Sequence, residues 1–443
     1  MNTLTAIRPS PAGCFSSLLT GFPQLQTSAS SWVNTLRADG TDQLAKLTLP
    51  TTSDEDWRFT DISPLKQLRL TPASSASSLQ TSDIEHFYIA EATTRQVFVD
   101  GVYAPHLSST DSSTEVLASN LPAALREHAK VIESHLGRHL SSPDNAFAAL
   151  NTAVLDDAAV ILVPRNVALS APIHLLFIAT HKKAMSTPRC LVIAESGSEV
   201  TLIEDYVELP QSPHQEQAHL TNAATEICVQ DNARVNHIRV QREGTSAFHL
   251  ANCAVSVGRS SNYQSISVAL GAQISRYKLD VLLAEGSECK IDGLALIATN
   301  QLADTHTCID HSQPHAVSRQ LHKCIIGGSA HAVFNGKVEV REGAQHVDSV
   351  QSNRNLLLTS KAQIDTKPQL EIFADDVKCA HGATVGQLDP EEVFYLKSRG
   401  LSDSAARNLL TLAFATEIID RIPIASLKHQ LTQNAFEQTR GQL

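Results

Sequence analysis

The sequence predicts a mainly β chain with helical ends, its centre a parallel β-helix. Three observations carry that prediction. From about residue 158 to 384, short β-rich runs follow one another and helical spacing vanishes. A loose turn recurs before them: Gly197-Ser198-Glu199-Val200, Asn232-Ala233-Arg234-Val235, Gly271-Ala272-Gln273-Ile274, Gly286-Ser287-Glu288-Cys289 and Gly343-Ala344-Gln345-His346. A Gly or Asn supplies the positive φ, a small residue packs inside, and the strand then alternates. The turns recur at roughly 15 residues or at twice that and more, a repeat signal without a strict period. Such strands suit a sandwich, a propeller or a solenoid. The irregular period and single-residue corners favour a β-helix, in which each coil buries its apolar face on its neighbours.

The 443 residues exceed one ordinary compact core. They divide into a mostly helical segment at 1–157, the β-helix at 158–386 and a helical segment at 387–443. In the first, Gln24–Leu47 carries Trp32, Val33, Leu36 and Leu44 at amphipathic spacing. Asp54–Leu65 reads as a helix end and a turn, and Thr71–Ser82 and Leu107–Ser113 as Ser/Thr-rich loops. Gln96–Tyr103 is a hairpin with Asp100-Gly101 at its turn. Helical spacing returns at Leu121–Leu140 and Asn145–Leu155.

In the last segment Asp389 is an N-cap, Pro390 suits the first helical position, and Arg399-Gly400 ends the helix. Ser402 opens a second helix with Ala405, Leu409, Leu412, Ala413 and Ile419 on one face. Pro423 breaks it, and Ile424–Phe436 forms a third. The second helix is apolar over more than one stripe, so it packs on more than one side. Stacked coils also leave open ends that these terminal segments, or a partner chain, must cover.

Composition excludes several classes. With 42% hydrophobic and 18% charged residues the chain is globular. A net charge of −11 without a Lys/Arg-rich run gives no nucleic-acid footprint. Apolar runs such as Ala158–Val163 are too short to cross a bilayer. The N-terminus lacks the charged start and apolar core of a secretory signal. Eight scattered cysteines without a C-x-x-C point to a reducing cytoplasm, most of them being small core residues. Gly327-Gly328-Ser329 lacks the Lys-Ser/Thr of a phosphate loop, so ATP hydrolysis belongs to another chain.

The candidate site lies in Ala374–Thr384. On a strand, Cys379 and His381 project to the same side, with Cα atoms roughly 6–7 Å apart. The pair can share a metal or a sulfur-bearing species, or be inert. Asp375 and Asp376 read as strand-end residues, and Trp57 with Arg58 as a packing anchor. His306, His311, His315, His322 and His331, with Cys308, Asp310 and Cys324, read as polar ladders, because residues one coil apart stack by construction.

Pro368–Gly386, running through Asp375-Asp376-Val377-Lys378-Cys379-Ala380-His381-Gly382, closely resembles the signature of the SufB/SufD family of iron–sulfur cluster assembly proteins. Phe394–Leu401 is similar to that family's helical continuation, and Asp56-Trp57-Arg58-Phe59-Thr60-Asp61 resembles its other block. Gly382 stands where SufB typically carries an acidic residue, which resembles the SufD branch. The resemblance implies a right-handed parallel β-helix between helical termini. It implies a non-enzymatic scaffold subunit in the cytoplasm, or the plastid stroma in a eukaryote. SufB would pair through the β-helix, with a homodimer in isolation. The ATPase SufC would bind the C-terminal helices, where Phe394, Tyr395, Leu396, Arg399, Leu409, Leu412 and Phe414 are the expected contacts. Cys379 and His381 would hold iron or a nascent iron–sulfur cluster transiently, sharing it with SufB. The alternative is a β-helix enzyme acting on polysaccharide, which would want a carboxylate pair or a Lys/Arg–Asp cluster in a groove and usually a secretion signal.

Overall fold

The computed structural model describes residues 30–440, apart from residues 69, 73–78, 112–114, 141–143, 181–182 and 210–217. Residues 24–29 of the first expected helix, and Cys14, lie outside the described residues. Within the described residues the centre is a β-solenoid of eight coils, each giving one strand to either of two sheets. The first sheet runs from Ala159–Val163 through Arg189–Ala194 and Leu220–Val229 to Gln363–Ile372. The second runs from Ile173–Ala179 through Glu199–Glu208 to Lys378–Gly386. Pairing between successive coils is parallel throughout, as at Phe248 beside Ile274 and Ser349 beside Cys379.

Residues stacked one coil apart are separated by 26 positions at Phe248–Ile274 and by 35 at Glu199–Arg234. Two corners per coil therefore explain both the short spacing and its double. Gly197, Asn232 and Gly286 supply positive φ (73°, 60° and 63°) as expected. The other two turns differ: Ala272 and His346 take it, at 67° and 60°. Gly271 is needed for a different reason, since a Cβ there would meet the carbonyl oxygen of Glu243 at 1.9 Å. The small residues that follow the corners, Ser198, Ala233 and Ser287, are buried.

The coil interior packs Leu175, Val192, Leu202, Ile227, Val255 and Leu279 in one cluster, with the buried polar groups Glu204, His237, Arg239 and His249 set among them. Towards the last coils it becomes polar. Gln351 Nε2 donates to Gln320 Oε1 at 2.8 Å, Gln320 Nε2 to Thr307 Oγ1 at 2.9 Å, and Ser318 bonds Ser349 at 2.7 Å.

The N-terminal segment is less purely helical than expected. Thr94–Val99 extends the second sheet and Leu117–Asn120 pairs antiparallel with Ala159–Val163, so strands close the first end of the stack. The hairpin forms with positive φ at both Asp100 and Gly101 (52° and 87°), the pattern of a type I′ turn. Helices Ser31–Leu44 and Ala146–Ala153 pack over Leu220, Phe248 and Leu250 on the outside of the first sheet. Helix Leu121–His135 covers Val160, Leu191 and Ile193. It stops short of the expected Leu140 because Gly137 turns left-handed at φ 77°.

The C-terminal helices Pro390–Ser398, Asp403–Ile419 and Ala425–Arg440 carry the expected caps. Asp389 accepts from Glu391 N at 2.8 Å, and Ser402 from Ala405 N at 3.2 Å. They lie on the outer face of the second sheet. Ile418, Ile419, Ile422, Ile424, Leu427 and Leu431 bury against Ile203, Ile238, Val240, Val268 and Leu296. At about 1.5–3 kcal/mol for each large side chain, that seam fixes the helices far more firmly than their caps. It also corrects the expected face: Ala405, Leu409 and Ala413 are exposed, and the buried stripe is Ala406, Thr411, Ala415, Ile418 and Ile419. With apolar residues on several sides, the sheet rather than the helix chose which stripe to bury. Among the described residues no helix is long and apolar enough to cross a membrane.

Candidate functional site

Strand Lys378–Gly386 ends the second sheet, and Gln363–Ile372 ends the first. Among the described residues neither has a strand beyond it, so the last coil presents an unpaired backbone edge and an uncovered interior. Alternation tells which residues face that interior. On the preceding strand Ser349, Gln351, Asn353 and Asn355 are buried, while Val350 and Arg354 are exposed. Cys379 pairs with Ser349 and His381 with Gln351, so both continue the inward-facing row. In any earlier coil they would be sealed. Here His381 is exposed and Cys379 half-buried, because among the described residues no ninth coil lies on top.

Cys379 rests against the apolar group around Val340, Ala344 and Val347. Burial pushes its thiol up, Asp348 adding to this and a backbone hydrogen bond at Ser349 opposing it. The thiol is therefore protonated at neutral pH, and binding of a soft metal there would release its proton. One thiolate and one imidazole are half of a four-ligand set. Around them Val385 is 50% exposed and Phe373 62%. Apolar groups of that size beside an unpaired strand edge are a surface built to be covered.

Asp375 is exposed, and Asp376 serves the corner: its N–H donates to Gln345 Oε1 at 2.9 Å and its carboxylate lies 3.0 Å from His346 Nδ1. The histidine-rich stretch does not converge. His311 and His322 lie inside the coil, bonded to Ser318 and stacked on Phe334. His306 and His331 lie outside, paired with Asp304 and Asp365, and His315 stacks on His346 at a corner. Cys324 is buried and Cys308 half-buried. Trp57 packs 5.7 Å from Phe147 and under Arg276, whereas Arg58 is exposed beside Phe59.

The expected C-terminal contact residues fall into two sets. Phe394, Tyr395, Arg399 and Leu409 are exposed, Phe394 at 72%. Leu396 is half-buried, while Leu412 and Phe414 pack on the core, Phe414 beneath the Lys323 ammonium at 3.7 Å. Sequence reasoning expected open ends on the stack but did not name Gln363–Ile372 as an edge strand. Pro368 inside strand Gln363–Ile372 is a signal for it, since a proline in a strand belongs at an edge. Nor did it find His135, His139 and Cys228, whose donor atoms lie within 4.8 Å of one another.

Residues 177–414 match the family model for the SufBD core domain of SUF-system iron–sulfur cluster assembly, and residues 21–175 match that for the SufBD N-terminal region. An iron–sulfur cluster assembly SufBD family protein of Synechocystis is 42% identical over 90% of this chain and 89% of its own. The iron–sulfur cluster assembly protein SufD of Escherichia coli K12 is 31% identical over 96% of this chain and 99% of its own. The chloroplastic protein ABCI7 of Arabidopsis thaliana is 29% identical over 91% and 85%. Nothing among these relatives supports a polysaccharide-active enzyme.

Proposed function

The chain belongs to the SufBD family of iron–sulfur cluster assembly proteins, and we propose that it acts as a SufD-type scaffold subunit, without catalysis of its own. In this reading SufB docks on the open end of the solenoid, edge strand to edge strand. SufC sits on the C-terminal helices through the exposed Phe394, Tyr395, Arg399 and Leu409. The complex works in the cytoplasm or a plastid. The nascent cluster, or its iron, is the cargo.

The observation that carries this is the placement of Cys379 and His381. They belong to the interior row of the stack, yet stand uncovered in its last coil. A docking chain would convert that exposed row into a closed interior and bring the missing ligands across the seam. The cargo can leave when the seam opens, and nucleotide turnover on SufC is the step that would open it. Two protein ligands of mixed type suit such a site, since a full set from one chain would hold the cluster permanently.

The test is co-expression with SufB and SufC, purification, and reconstitution with iron and sulfide, read by visible absorption and labile sulfide. His381→Ala should leave the complex assembled and abolish cluster build-up. A normal cluster yield on the assembled variant complex overturns the ligand role, and failure to co-purify overturns the partnership.

A further inference from the structure

Helix Leu121–His135 stops over the outer face of the first sheet, five strands from the open end. Gly137 then turns the chain at φ 77°. Glu226, on strand Leu220–Val229, holds the turn: its carboxylate accepts from Gly137 N at 2.8 Å and His139 N at 3.0 Å. The same carboxylate is neutralised by the buried Arg189. Two residues further along that strand, on the same outward row, lies Cys228. The outcome is a meeting of three donors from distant parts of the chain. The rings of His135 and His139 stand 6.4 Å apart and near parallel, and one donor atom from each, with the Cys228 sulfur, lies within 4.8 Å of the others. His139 Nε2 is buried without a hydrogen-bond partner. Among the described residues no other group of His, Cys, Asp or Glu converges in this way.

We propose that His135, His139 and Cys228 form a binding site for one divalent transition metal of borderline softness, with Zn(II) as its natural class. Imidazole nitrogen and thiolate sulfur are both donors that Zn(II) takes, and three such donors leave the fourth tetrahedral position to water. Zn–N and Zn–S bonds of about 2.0–2.1 and about 2.3 Å call for closing the three donors by side-chain rotation, with the backbone already held by Glu226. Binding converts the Cys228 thiol to a thiolate and releases its proton to water; no redox step is involved. A cation at this point also meets the negative end of the helix dipole. The metal would clip the end of helix Leu121–His135 to the third coil. Five strand spacings put it about 24 Å from strand Gln363–Ile372, so it is separate from the cargo site.

The test is titration of the metal-free full chain with Co(II), then displacement by Zn(II). One equivalent should give tetrahedral cobalt bands with a thiolate charge-transfer band, and Zn(II) should raise Tm. Cys228→Ser should abolish the charge-transfer band, and His139→Gln should weaken zinc binding about a hundredfold. Cys379→Ser should leave both intact. Circular dichroism of the two variants confirms that they fold. The site is refuted if no charge-transfer band appears, or if the band survives Cys228→Ser.

Discussion

Asp304→Asn probes how the N-terminal block Asp56–Asp61 is fastened to the solenoid. Asp304 is fully buried, and three groups meet its carboxylate. Thr60 Oγ1 donates to it at 2.6 Å, Arg276 pairs with it, and His306 Nε2 lies 2.9 Å away. Arg276 also stands 4.0 Å from the Trp57 ring, so one carboxylate joins the block to two successive coils. Burial alone would push this carboxyl up. Arg276 and then His306 outweigh it and hold it at about 2.

Removing one partner of a buried pair costs about 3–5 kcal/mol, because the other charge stays buried. The Trp57 ring and the retained Thr60 contact offset part of that, so the expected loss is about 3 kcal/mol. The assay is urea unfolding followed by tryptophan fluorescence. The chain has two tryptophans, and one of them, Trp57, touches Arg276. The pH dependence has a definite sign. The folded pKa lies below the unfolded value of about 3.9, so this stabilisation is present above about pH 4 and is lost as pH falls towards 2. At 1.36 kcal/mol for each pH unit, it amounts to about 2–3 kcal/mol. Asp304→Asn should lose that part of the acid sensitivity. A variant within about 0.5 kcal/mol of the parent, or one with an unchanged acid limb, refutes the account.

Three further outcomes are expected. Gly271→Ala drives a Cβ into the Glu243 carbonyl, so Tm should fall sharply, by the equivalent of about 3 kcal/mol or more, although Gly271 itself needs no positive φ. Phe373→Asp with Val385→Asp should leave the Tm of the isolated chain within about 1 °C, these being exposed sites, yet abolish pairing at the open end; light scattering and SufB pull-down read it. Phe394→Ala should likewise spare stability and weaken SufC capture at least tenfold by surface plasmon resonance, whereas Leu412→Ala should lower Tm through lost packing on the second sheet.

Local chemistry made the architecture legible. Positive-φ corners at Gly197, Asn232 and Gly286, small residues behind them, and alternating strands are each written in a few adjacent residues. The caps at Asp389 and Ser402 and the turn at Asp100-Gly101 are equally local, and they formed as read. So was the shared side of Cys379 and His381, which follows from the two-residue period of a strand.

What spans distant residues needed the folded chain. Which stripe of helix Asp403–Ile419 is buried depended on the sheet beneath it, and so Leu409 faces solvent while Ile418 does not. The meeting of His135 and His139 with Cys228 has no sequence signature, because stacking of coils and not spacing along the chain brings them together. Above all, an interior row is indistinguishable in sequence from one coil to the next. Only the stack, by ending, decides that Cys379 and His381 are open where Ser349 and Gln351 are sealed.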